Sequence, residues 1–287
     1  MTAIANVTVL GTGVLGSQIA YQTAFSGFDV VAYDISDDAL EAAKERFAGL
    51  ARTYVAERVA GADDASVDAA LARITLSADL GEAVANADLV IEAVPEQLAL
   101  KQATYEKLAA LAPERTIFAT NSSTLLPSDL APFTGRADRF LALHFANRVW
   151  AHNTAEVMGT DATDPAVYAT VVDFAGKIGM VPIEIKKEKA GYLLNSLLVP
   201  FLSAAGELLV DGIAEPDAID KTWRIGTGAP MGPFQIYDIV GLTTAYNISK
   251  AGGPKQQAFA DLIKEHYIDQ GKLGVATGEG FYTYPKA

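Results

Sequence analysis

The sequence predicts an α/β fold, a doubly wound sheet, followed by an all-helical domain. Three observations predict it. Short apolar runs of strand length alternate with helical periodicity from residue 6 to about 186. A glycine-rich turn joins the first run to the first helix. From Lys187 to about residue 270 the periodicity is helical, with no strand run. Strands alternating with helices imply a mostly parallel sheet covered on both faces. The polar stretch Ile185-Lys-Lys-Glu-Lys189 marks the expected boundary, so domains are expected over 1–186 and 187–287.

Asn6–Leu10 reads as a buried strand, and Gly11–Gly16 as the turn after it. Leu15, Ile19, Ala20 and Ala24 recur at helical spacing, and Gly27 closes the helix. Phe28–Asp34 reads as a second strand, completing a strand–helix–strand unit of the size a parallel crossover needs. Helices are expected over about 37–59 and 64–73. Leu89–Val94, Thr116–Thr120 and Phe140–Phe145 read as strands, followed by 154–159 and 180–186. The closing Gly278-Glu-Gly-Phe-Tyr282 reads as an ordered turn with an aromatic plug.

Of 287 residues, 50% are apolar and 20% charged, which suits a globular chain with a real core. The net charge of −13 and the lack of a Lys/Arg cluster argue against nucleic-acid binding. An anionic ligand would therefore need backbone amides or a few placed cations. There is no cysteine, which excludes disulfides, thiolate nucleophiles and cysteine-based metal sites, and no metal is expected. The start has no basic leader, so a cytoplasmic location is expected. Ala190–Val210 is apolar over about a membrane's thickness, but Asn195, Pro200 and Glu207 interrupt it, so a buried helix is expected rather than a span.

Gly11-Thr-Gly13-Val14-Leu15-Gly16 follows a strand and opens a helix, the setting of a Rossmann-type dinucleotide loop. Gly11 permits the tight turn, Gly13 the approach of a pyrophosphate, and Gly16 close packing of helix on sheet. The first-turn amides, at Val14 and Leu15, would face the phosphates. Asp34 ends the second strand about 18 residues later, where a carboxylate can bind the adenosine ribose and repel a 2′-phosphate, favouring NAD over NADP. A tight structural turn with a helix-capping Asp is the plain alternative.

Without a metal, alcohol oxidation needs a base near neutral pH, and His suits it. Of three histidines, His144 ends a strand, where ligands bind in a doubly wound sheet; His152 and His266 read as solvated. Glu156 on the returning strand could set its carboxylate against His144, or could simply be solvated. Asn121-Ser-Ser123-Thr, at another strand end, could hold a substrate oxygen or cap the helix near 126–131.

Taken together, these residues resemble the 3-hydroxyacyl-CoA dehydrogenase family, over nearly the whole chain. The dinucleotide loop matches Gly11–Gly16, and an E-A-V-x-E strand end matches Glu92–Glu96, followed by Lys101. N-x-S-S-L is similar to Asn121–Leu125, and H-F-F-N-P to His144-Phe-Ala-Asn147-Arg148. G-F-x-x-N is similar to Gly191–Asn195, and P-x-G-P-F with a later Asp to Pro230–Phe234 and Asp238. T-G-x-G-F-Y matches Thr277–Tyr282.

The resemblance implies an NAD-dependent enzyme of fatty-acid metabolism that interconverts a short (S)-3-hydroxyacyl-CoA and its 3-oxo form. It makes His144 the acid/base and Glu156 its partner, with Ser123 and Asn195 holding the reacting oxygen. It puts Glu96, Lys101, Asn121 and Asn147 at the cofactor, and makes the helical domain the site of substrate binding and of a homodimer. Three departures bear on the substrate. Arg148 replaces the Pro, Ala276 stands where a tail lysine is frequent, and 37–59 keeps only Lys44, Arg46, Arg52 and Arg58 as cations. Arg148 could instead meet a substrate carboxylate. A small hydroxy acid, sugar acid or carnitine-like substrate without CoA is therefore the alternative. The set His144, Glu156 and Asn195 argues against a catalytically idle NAD-binding protein.

Overall fold

The computed structural model describes residues 4–285. The chain forms two compact units, one running to Leu193 and the other from Leu194. In the first, β1 (Asn6–Leu10), α1 (Val14–Phe25) and β2 (Asp29–Tyr33) form the expected crossover unit. Next come α2 (Asp37–Ala56), α3 (Asp64–Ala72), β3 (Ile74–Ser77) and α4 (Leu80–Val84). They are followed by β4 (Leu89–Glu92), α5 (Leu98–Leu111), β5 (Ile117–Thr120) and α6 (Pro127–Leu130). The unit closes with β6 (Phe140–Phe145), β7 (Thr154–Gly159), α7 (Pro165–Lys177) and β8 (Val181–Ile185).

The strands form one sheet in the order β3-β2-β1-β4-β5-β6-β7-β8. All neighbours are parallel except β6 and β7, which are antiparallel. Strand order reverses between β1 and β4, so a crevice opens beyond their carboxyl ends, where ligands bind in such sheets. Helices cover both faces. Tyr21, Phe47, Tyr54 and Phe174 pack into one core and Tyr105, Leu108, Phe118 and Phe140 into the other. β4 is buried at every position, as a central strand covered on both faces must be.

Neither β3 nor α4 was expected from the sequence. Ile74–Ser77 is a four-residue edge strand that is only partly buried, so it carries no apolar run. The first unit also extends past the boundary expected at Lys187. Tyr192 is buried with Ala142, Met158 and Ile185 and so belongs to the sheet's unit rather than to the helix that follows.

The second unit comprises α8 (Leu194–Val210), α9 (Pro216–Thr227), α10 (Pro233–Val240), α11 (Leu242–Lys250) and α12 (Pro254–His266). Leu202, Phe234, Tyr237, Leu242, Phe259 and Ile263 form its core. Phe281 plugs this core, 4.8 Å from Phe234 and 4.6 Å from Tyr267 between ring centroids. Buried Asp238 holds the plug: its carboxylate accepts from Phe281 N (2.9 Å), Tyr282 N (2.9 Å) and the Tyr284 hydroxyl (2.9 Å).

Candidate active site

β1 runs straight into the glycine loop, and sterics leave little choice there. Gly11 has φ +90°, and a Cβ on it would lie 2.7 Å from Ala93 O. A Cβ on Gly16 would lie 2.0 Å from Gly11 O. At Gly13, in contrast, a Cβ would meet nothing within 4 Å. The loop is thus closed on the protein side and open at the start of α1. No side chain caps that end of α1. Its first-turn amides, at Val14 and Leu15, and the positive end of the helix dipole can therefore serve a pyrophosphate. The residues present fit a dinucleotide.

Asp34 follows β2 with both carboxylate oxygens engaged. Oδ2 accepts from Thr12 N (2.8 Å) and Thr12 Oγ1 (2.6 Å), and Oδ1 from Ile35 N (2.8 Å). Burial opposes its ionisation. The bonds from Thr12 and Ile35, with the Arg46 charge, outweigh that and hold it below the usual carboxylate range. A fixed anion therefore stands beside the glycine loop, where the sequence reading places an adenosine ribose. Thr12, an x in the glycine motif, was not singled out from the sequence; only the fold shows that it aims Asp34.

His144 and Glu156 are twelve positions apart in the chain but directly opposed across β6 and β7. Opposed residues of an antiparallel pair share a face, and His144 Nδ1 lies 2.9 Å from Glu156 Oε2. Both residues are 4% exposed. A carboxylate only accepts, so Nδ1 carries the proton and Nε2 points outward. Nε2 lies 3.0 Å from the Oγ of Ser123, in the loop after β5. Hydroxyl, imidazole and carboxylate thus form one chain of hydrogen bonds at the carboxyl end of the sheet. His152 and His266 are exposed.

Glu96 organises the serine loop. Its Oε1 accepts from Ser122 Oγ (2.5 Å), Ser123 N (3.0 Å), Thr124 N (2.9 Å) and Thr124 Oγ1 (2.8 Å). Burial works against its charge, but the Ser122 and Thr124 bonds and Lys101 bring it below the ordinary range. Lys101, at 1% exposure, pairs with Glu92 (2.5 Å) and Glu96 (3.3 Å). Its Nζ also donates to Val94 O at 3.1 Å. Asn121 is also buried, and its Oδ1 accepts from Phe145 N at 2.9 Å, joining the serine loop to the histidine strand. Asn147 is exposed. Asn195 stands in the first turn of α8, in the second unit.

Arg148 is differently placed from what the sequence suggested. Its Nη2 donates to Glu57 Oε1 (2.9 Å) and Oε2 (2.8 Å), while Trp150 Nε1 donates to the same Oε2 (2.8 Å). Its guanidinium is thus tied to the end of α2, already holding a carboxylate of the chain itself. The Trp150 bond is the main reason that Glu57 stays well ionised.

Comparison with known families covers nearly the whole chain. The profile for "3-hydroxyacyl-CoA dehydrogenase, NAD binding domain" matches residues 6–189, and that for the C-terminal domain matches 191–284. The chain belongs to the 3-hydroxyacyl-CoA dehydrogenase family. It is an NAD-dependent oxidoreductase. Human mitochondrial hydroxyacyl-coenzyme A dehydrogenase is 36% identical over 98% of this chain and 91% of its own. A solved (S)-3-hydroxybutyryl-CoA dehydrogenase from Ralstonia eutropha is 32% identical, with a TM-score of 0.84, over 99% of this chain and all (100%) of its own. A solved diketoreductase, whose substrate-directed dual catalysis acts on dicarbonyl compounds, is 71% identical, with a TM-score of 0.96, over 99% of this chain and 100% of its own. Among the described residues, no helix is long and apolar enough to cross a membrane.

Proposed function

We propose that this dehydrogenase interconverts a 3-hydroxyacyl and a 3-oxoacyl group carried on CoA, with His144 as acid/base, Glu156 as its partner and Ser123 holding the reacting oxygen. The observation that carries the reading is the unbroken chain Ser123–His144–Glu156. Bound NAD supplies or accepts hydride at its nicotinamide. During oxidation the substrate hydroxyl sits against Ser123 Oγ and His144 Nε2. His144 accepts the hydroxyl proton, and the buried Glu156 balances the imidazolium charge. During reduction His144 returns the proton to the new alkoxide. Named relatives at 36% and 32% identity support the CoA-linked substrate and (S) stereochemistry.

A second reading is favoured by one observation, the 71% identity to a diketoreductase. A 3-oxoacyl thioester is itself a 1,3-dicarbonyl compound, so the same proton chemistry serves a free diketone or 3-oxo ester. The cations expected to grip CoA phosphates give this reading some support, since Lys44 pairs with Glu41 and Arg46 donates to Thr12 O (3.2 Å). NADH oxidation with acetoacetyl-CoA, compared with a free 1,3-diketone and a 3-oxo ester, decides. A higher kcat/KM for the thioester supports the first reading, and the reverse supports the second. Turnover of neither overturns both. The exposed apolar residues Leu194, Leu197 and Leu208 on α8 support a homodimer through the second unit.

A further inference from the structure

One short segment touches His144 and Glu156 of the proposed proton chain and the residue that precedes Ser123. Tyr192 has φ +51°, a left-handed conformation that a bulky residue adopts only against local strain, and it directly follows Gly191 at φ +80°. This two-residue turn carries the Tyr192 ring onto the His144 imidazole, with centroids 4.4 Å apart and planes 14° from parallel. The Tyr192 hydroxyl donates to Ser122 O at 2.8 Å, immediately before Ser123. The next amide, Leu193 N, donates to Glu156 Oε1 at 2.8 Å. Tyr192 itself is fully buried, at 0% exposure.

We infer that Tyr192 is a positioning residue for proton transfer: it fixes the plane of the His144 ring, ties down the serine loop, and stabilises the imidazolium through its ring face. The inference rests on the acid/base assignment above and adds to it the element that sets the geometry. A carboxylate at Nδ1 and a hydroxyl at Nε2 leave the imidazole free to rock about the line joining them. A parallel aromatic ring removes that freedom. An aromatic face attracts the cation more strongly than it attracts the neutral imidazole, so Tyr192 favours the state that His144 reaches after taking the proton. The phenol itself stays neutral, because burial first, then Glu96, Glu156, Glu92 and Glu188, raise its titration well above the ordinary range. The ionisable groups around the assembly include Glu156 on β7, Glu92 at the end of β4 and Glu96 in the loop after it, Lys101 and Tyr105 on α5, and Glu188. Strain in the backbone is therefore retained where it delivers a ring and an amide to the reacting groups.

The test compares the intact wild type with Tyr192→Phe and Tyr192→Leu by kcat, by NADH affinity from fluorescence titration, and by NMR titration of the three histidines. Tyr192→Leu is expected to lower kcat about tenfold or more while NADH affinity stays within about twofold, a split expected of a group that acts on proton transfer. It should also move the His144 titration midpoint down by about half to one pH unit, the size of a lost cation–π contact. Tyr192→Phe keeps the ring and should leave the midpoint in place, with a loss of kcat of only a few-fold from the freed serine loop. A Tyr192→Leu enzyme with wild-type kcat and midpoint overturns the inference. If that variant does not fold, Tyr192→Met, unbranched and adaptable, is read against the same outcomes; if that fails too, Tyr192→Phe with unchanged kcat overturns the tether to Ser122. Failure of the wild type to turn over either substrate would instead overturn the proposed function, and the His144 midpoint still reads the role of Tyr192.

Discussion

Replacing Glu156 with Gln tests the proton chain at its most constrained point. The Leu193 amide, 2.8 Å from Oε1, requires an oxygen at that position. The new amide must then turn its NH2 toward His144 Nδ1, where the carboxylate oxygen stood at 2.9 Å. An NH2 donates, so Nδ1 must accept, and the imidazole proton moves to Nε2. Oxidation then lacks the lone pair that takes the hydroxyl proton. The opposite orientation sets two N–H groups against each other at Leu193. Both orientations therefore lose a charge-assisted bond of about 1.5–3 kcal/mol, which corresponds to about a ten- to hundredfold fall in kcat. Without the carboxylate the imidazolium is less stable, so His144 gives up its proton more readily. The residual oxidation profile should move to lower pH by about one to two units. The assay is kcat against pH in the oxidation direction, with NADH affinity as a control for folding. Wild-type kcat with an unmoved profile would reduce Glu156 to an ordinary strand residue and refute the reasoning.

Other predictions follow from the same contacts. His144→Gln keeps a hydrogen-bonding side chain but removes the base; kcat should fall about 10²–10⁴-fold with NADH binding nearly unchanged, and near-full turnover would point to another base. NADH should be preferred over NADPH in kcat/KM, because the Asp34 anion would face the 2′ position; its carboxyl is held below the usual range, so the preference should persist down to about pH 5, and an NADPH preference would refute the assignment. Gly280→Ala would set a Cβ 2.1 Å from Asp238 Oδ1, displacing the carboxylate that holds the C-terminal plug; Tm should fall by several degrees, as expected for a loss of about 2 kcal/mol. Light scattering at micromolar concentration should give a dimer mass, and a monomer alone would count against assembly through α8.

How much was legible in advance depends on the range of the forces involved. The strand–helix alternation, the glycine loop and Asp34 are local patterns, set by backbone sterics and by the spacing of one crossover unit, and they can be read along the chain. His144 could be placed at a strand end by the same means. That Glu156 faces it could only be suspected, because the register of β6 on β7 is a long-range pairing. The roles of Thr12 and Tyr192 were not readable. Thr12 reaches Asp34 only when β1 lies beside β2, and Tyr192 reaches His144 only through a left-handed turn that brings a distant segment back onto the sheet. The same limit explains Arg148, whose charge looked available in the sequence until folding brought Glu57 beside it. Local sterics and periodicity are written in the chain, whereas the partner of a charge or a ring is decided by which strands and loops the tertiary structure sets side by side.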